Sequence, residues 1–113
     1  MSKALAGVRI LDFTHVQSGP TCTQLLAWFG ADVIKVEPPN GDIARRTSGT
    51  GEFTPMFVSA NRGKRSIALD LKKPEAVDIA RQLVMEYDIV IEQFRPGVMA
   101  RLGLDYATLA AIN

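Results

Sequence analysis

Val8-Arg9-Ile10-Leu11-Asp12-Phe13 is a short apolar run carrying β-branched residues, bounded by Gly7 and a polar turn, and it predicts a buried strand. Thr14 to Pro20 is punctuated by Ser, Gly and Pro. Beyond it, Leu25, Leu26 and Phe29 fall at helical spacing and predict a helix with its apolar face on those residues. Ser18 is the candidate N-cap, Pro20 suits the first turn and Gly30 the stop. Asp32–Glu37 predicts a second strand, closed by Pro38-Pro39-Asn40-Gly41-Asp42, which neither a helix nor a central strand can traverse. Ile43 to Pro55 has no sustained period and reads as a loop, and loops of that length in small domains are usually functional or mobile.

Ser66–Leu71 predicts a third strand, and Lys73-Pro74 opens a helix with Val77, Ala80, Leu83 and Val84 on one face. Ile89–Glu92 predicts a fourth strand, Arg95-Pro96-Gly97 a turn, Val98–Leu102 a helical turn and Tyr106–Ile112 a further helix. Strands alternating with helices through short Gly/Pro connections give an α/β fold around a mostly parallel sheet. The pattern stops at Ala111-Ile112-Asn113, part-way through an apolar helix, an ending that reads as a cut.

Composition narrows the classes. With 113 residues, 47% hydrophobic and 22% charged, the chain amounts to one globular domain with an ordinary core. Thirteen Lys and Arg against twelve Asp and Glu leave a charge of +1, which gives no reason to expect a nucleic-acid or membrane-surface partner. One Cys makes no internal disulfide, and one Cys with one His makes no zinc site of the usual spacing. No signal-like or membrane-length apolar run is found, so the chain reads as soluble and cytoplasmic.

In open α/β sheets ligands bind beyond the carboxyl ends of the strands, so the loops His15–Pro20, Pro38–Asp42, the segment after Leu69 and Gln93–Gly97 are read as one crevice. The first feeds a helix N-terminus, but Gly19-Pro20 is neither a dinucleotide fingerprint nor a P-loop, and a plain helix entry fits it as well. Arg62, Lys64, Arg65, Lys72 and Lys73 against Asp70 make a local basic strip, either a phosphate dock or a solvated strand end. Asp12, at a strand end, suits capping or loop-pinning more than catalysis. Cys22 reads as a small packed residue, and Trp28 as core or subunit contact.

Leu5–Phe13, Val16–Pro20, Phe29–Pro38, Asn61–Ile67 and Glu92–Met99 with Arg101–Leu104 resemble, in order, the N-terminal segment of family III CoA-transferases. That group includes formyl-CoA transferase, carnitine CoA-transferase and α-methylacyl-CoA racemase. The resemblance implies a Rossmann-like parallel sheet with flanking helices, here residues 1–113 as an incomplete first domain of a longer enzyme, with no second domain present. It implies a homodimer of interlocked subunits, CoA and acyl-CoA as ligands, no tightly bound cofactor, no metal, and an aspartate nucleophile downstream of residue 113.

By the same resemblance His15, Val16 and Gln17 lie along the pantetheine and thioester end, with Gln17 beside the catalytic carboxylate in a supporting role. Leu69 and Lys72 border the adenosine phosphates, while Gln93, Phe94, Val98 and Arg101 hold adenine and phosphates. Two positions depart from the formyl-CoA transferase branch: Pro38 stands where that branch carries an Arg near the adenine, and Gln93 where it carries Asn. His15 as a turn residue and Gln17 as a backbone-satisfied loop amide are the bland readings. The racemase branch and a stand-alone acyl-CoA or nucleotide-binding module are the alternative functions. The resemblance also implies apolar faces around Leu102, Leu104, Leu109 and Ile112 that later segments cover, so the isolated chain is expected to associate or dissolve poorly, with no turnover.

Overall fold

A computed structural model describes residues 2–47 and 53–113. Four strands, β1 (Arg9–Asp12), β2 (Asp32–Glu37), β3 (Arg65–Ala68) and β4 (Ile89–Ile91), form one sheet in the order β3-β2-β1-β4, with every pairing parallel. This is the order of the first four strands of a Rossmann-type sheet. The helices are α1 (Ser18–Trp28), α2 (Pro55–Asn61), α3 (Pro74–Val84), α4 (Val98–Arg101) and α5 (Tyr106–Ile112), with a 3-10 turn at Ile43–Arg45.

Parallel strands need covering on both faces, which is why Ile10 and Leu11 of β1 and Val33 and Val36 of β2 are all buried. One core cluster gathers Leu11, Phe13, Val36 and Leu69 against Ala76, Ala80 and Val84 of α3 and Leu104 and Leu109. A smaller one holds Ile10, Ala31 and Val33. The α3 face expected from Val77, Ala80, Leu83 and Val84 packs as its period dictates.

Several expectations are corrected. The helix α1 buries Pro20, Thr23 and Gln24; of the expected apolar face only Leu26 packs inward, against Ile10, Ala31 and Val33, while Leu25 and Phe29 are exposed, as is Trp28. The reason lies in the charge beneath it: Thr23 donates to buried Asp12 at 2.5 Å, and Gln24 Oε1 accepts the Arg62 N–H at 2.8 Å. Gln17, not Ser18, holds the N-cap position, and no side chain caps the helix. Cys22 is exposed rather than packed.

The loop expected over Ile43–Pro55 contains the 3-10 turn and reaches the N-terminus of α2; residues 48–52 lie outside the described residues. Sequence reading missed α2, although Thr54-Pro55 is a cap followed by proline at the first helical position, and Thr54 Oγ1 accepts the Phe57 N–H at 3.2 Å. β3 ends at Ala68, three residues early: the Leu69 N–H still donates to Glu37 O at 2.8 Å, and the chain then turns, with the Lys73 N–H donating to Asp70 O. Leu104 and Leu109 are buried within the chain itself, whereas Ile112 is exposed as expected, and further apolar side chains stand open at Leu25, Trp28, Phe29, Phe53 and Tyr106.

Candidate functional site

The connections leaving the carboxyl ends of β1, β2, β3 and β4 frame a groove of about 460 Å³. Its wall is mostly apolar. His15 and Phe94 meet across it with ring centroids 5.6 Å apart, Leu69 and Lys72 line it beyond β3, and Pro38 and Arg46 line it beyond β2. At Lys72 the groove adjoins a second hollow of about 290 Å³ lined by Lys73, Arg81 and Arg101, with Asp78 the acidic residue on its wall. An apolar trough opening onto clustered cations suits a ligand with a flat base at one end and phosphates beside it.

Of the residues singled out in the sequence, His15, Leu69, Lys72 and Phe94 thus come together in the groove, and Arg101 joins Lys72 in the hollow. Val16, Gln17, Gln93 and Val98 line neither. Gln17 is exposed at the start of α1. The Gln93 side chain bridges two loops: its Nε2 donates to His15 O at 2.8 Å, and its Oε1 accepts the Gly19 N–H at 2.9 Å. A Cβ on Gly19 would stand 2.3 Å from Thr14 Cβ and 2.4 Å from Gln93 Oε1, so only glycine permits this closeness. The basic strip divides. Lys64 is buried inside and Arg65 pairs with Asp32 at 2.7 Å, whereas Lys72 and Lys73 face the hollow.

Under the loops lie three ion pairs that sequence reading did not single out. Lys64 Nζ sits 3.1 Å from Asp12 Oδ2 and also donates to Pro20 O and to Asn61 Oδ1. Asp12, wholly buried, accepts from the Thr14 N–H and both the Thr14 and Thr23 hydroxyls, and so pins the loop as expected. Lys35 Nζ lies 2.8 Å from Asp42 Oδ2 and donates to Thr14 O at 2.9 Å. Glu37 takes a two-pronged contact from Arg45, with both distances 2.8 Å, together with the Ser66 hydroxyl and the Asp42 N–H. The signal available was Lys35 between Ile34 and Val36: a charge within an apolar strand must find a buried partner.

These pairs shape the local electrostatics. Burial works to raise the Glu37 carboxyl, but hydrogen bonds from Arg45, Ser66 and the Asp42 amide outweigh it and hold the group at about 2. Asp42 is likewise held below its ordinary value, its burial outweighed by Lys35 and by the Ala44 and Val16 amides. Desolvation brings Lys64 down to about 8, against the opposing pull of Asp12. Among the described residues no group of His, Cys, Asp or Glu is placed to hold a metal ion, and no helix is long and apolar enough to cross a membrane.

A parallel sheet in the 3-2-1-4 order, with its groove at the carboxyl ends of the strands, defines a Rossmann-type α/β domain. The chain belongs to CoA-transferase family III, whose profile matches residues 5–113. It is 54% identical, over its whole length, to the formyl-CoA:oxalate CoA-transferase of Bradyrhizobium sp. (strain ORS 278), and it spans 27% of that enzyme. Among solved structures, a mutant of Rv3272 from Mycobacterium tuberculosis superposes with a TM-score of 0.94 at 41% identity, over 99% of this chain and 31% of that one. A CAIB/BAIF family protein from Brucella suis gives 0.94 at 40% identity, over 100% of this chain and 32% of that one.

Proposed function

We propose that residues 1–113 are the N-terminal, CoA-binding part of a larger domain in a CoA-transferase that moves CoA between an acyl-CoA and a carboxylic acid. The observation that carries this reading is the apolar groove opening at Lys72 onto the cationic hollow with Arg101. The adenine and its ribose would lie against Leu69 and Phe94, the phosphates at Lys72 and Arg101, and the pantetheine arm would run toward His15, Val16 and Gln17. Gln93 supports that site by holding the first loop to the last, and Val98 opens the short helix that carries Arg101.

The covalent work falls to an aspartate outside this chain. Its carboxylate attacks the thioester carbonyl, the CoA thiolate leaves, and a mixed anhydride forms. The thiolate then attacks the aspartyl carbonyl, giving an aspartyl-CoA thioester and releasing the first acid; the acceptor carboxylate runs the two steps in reverse. Gln17, exposed and making no capping hydrogen bond, is free to donate its amide beside that carboxylate. The 113-residue chain alone would have no turnover. The open apolar surface at Leu25, Trp28 and Phe29 supports a homodimer in the full-length protein, and a cytoplasmic location belongs to the same proposal.

Transfer is favoured over the racemase branch by relatives at 52–54% identity that carry the name formyl-CoA:oxalate CoA-transferase. The test is to incubate the full-length protein with formyl-CoA and oxalate and follow oxalyl-CoA by mass spectrometry. Product formation is expected. Failure with every carboxylate acceptor tried, together with deuterium uptake by an α-methylacyl-CoA in deuterated water, would replace this reading with the racemase one.

A further inference from the structure

Val16 is the one non-glycine residue among those described that has a positive φ, +71°. A β-branched side chain is costly in that left-handed region, and such strain persists only where the surroundings impose it. The imposing group is Asp42, whose two carboxylate oxygens accept the Val16 N–H at 3.1 and 3.2 Å. Asp42 is itself fixed by Lys35 at 2.8 Å and by the Ala44 N–H at 3.0 Å. Lys35 also donates to Thr14 O at 2.9 Å. One buried charge pair therefore grips the chain on both sides of His15, at the carbonyl before it and the amide after it. Asp42 also terminates the Pro38–Gly41 segment that forms another wall of the groove, so two walls share one anchor.

We propose that the Lys35–Asp42 pair is a positioning device, which holds His15–Gln17 in the strained turn that shapes the groove for coenzyme A. Asp42 acts through the Val16 amide and does not itself touch ligand. This inference rests on the reading that the groove takes CoA.

The experiment measures CoA affinity of the full-length protein by calorimetry in four forms: unaltered, Val16→Gly, Lys35→Met/Asp42→Asn, and the triple variant. Removing both charges leaves no uncompensated ion, so the fold is expected to survive. It should weaken CoA by about tenfold, because the released turn relaxes out of the left-handed region. Glycine adopts that region freely, so in the Val16→Gly background the Lys35→Met/Asp42→Asn change should cost at least roughly threefold less affinity than it costs in the unaltered protein, whatever Val16→Gly does alone. Rescue by a residue that adds no contact is something general destabilisation would not produce.

An unchanged affinity in Lys35→Met/Asp42→Asn, or a loss that glycine does not reduce, overturns the clamp alone. Absence of CoA binding by the unaltered protein overturns both the clamp and the reading beneath it. Should the charge-free variant not fold, hydrogen exchange on the unaltered protein decides the matter. The Val16 amide is expected to be protected before CoA is added, and protection arising only with CoA would mean that the ligand, not the pair, orders the turn.

Discussion

Lys35 and Asp42 meet at 2.8 Å with side chains 1% and 0% exposed, one from the middle of β2 and the other from the loop that follows it. A charge pair this deep owes much of its importance to the damage done when one partner is removed.

Lys35→Met is therefore expected to destabilise the protein by roughly 3–5 kcal/mol, since it strands the Asp42 carboxylate. Lys35→Met/Asp42→Asn should recover most of that loss. Urea denaturation of the three forms checks it, and a double variant no more stable than the single one would show that the pair's hydrogen bonds, not its charge balance, dominate.

Glu37 gives an acid-side prediction. Its folded value of about 2 lies below the ordinary 4.5, so its stabilisation is complete above the ordinary value and disappears as pH falls through the folded one. A shift of that size corresponds to about 3 kcal/mol. Glu37→Gln should be less stable than the unaltered protein by about that amount at neutral pH, with the gap narrowing below about pH 4.5. A gap independent of pH would place the effect in packing.

Lys64 runs the other way. Its folded value of about 8 lies below the ordinary 10.5, so at neutral pH burial of the charge acts against folding in full. Between those two values the folded protein gives up a proton that the unfolded chain keeps, and stability rises with pH. Measured against Lys64→Met, which cannot titrate, the unaltered protein should gain up to about 3 kcal/mol between pH 7.5 and 10. A relative loss over that interval would contradict the burial argument.

At the ligand end, Lys72→Ala and Arg101→Ala in the full-length protein are expected to weaken CoA more than dephospho-CoA, which lacks the 3′-phosphate. Charge-assisted hydrogen bonds contribute about 1.5–3 kcal/mol, so each loss should be roughly ten- to a hundredfold. Equal losses for the two ligands in a binding titration would place both side chains away from that phosphate.

Local signals made much of this protein legible in its sequence. The second strand, Asp32–Glu37, and the helices Pro74–Val84 and Tyr106–Ile112 lie where apolar spacing, prolines and turns predict them, because these features act over a few residues. The alternation of strands and helices gave the parallel sheet, and the loops beyond β1, β3 and β4 brought His15, Lys72 and Phe94 to one groove. What the sequence could not determine were relationships between residues far apart in the chain. The outward turn of Leu25 and Phe29 follows from Asp12 needing Thr23 and Lys64 beneath α1, and Lys64 lies more than fifty residues from Asp12. Likewise nothing near Val16 reveals its left-handed backbone, which Asp42 imposes from the next loop. Periodicity reports which positions can be buried; only the folded chain decides which charges meet there, because the cost of burying each depends on a partner brought in by tertiary packing.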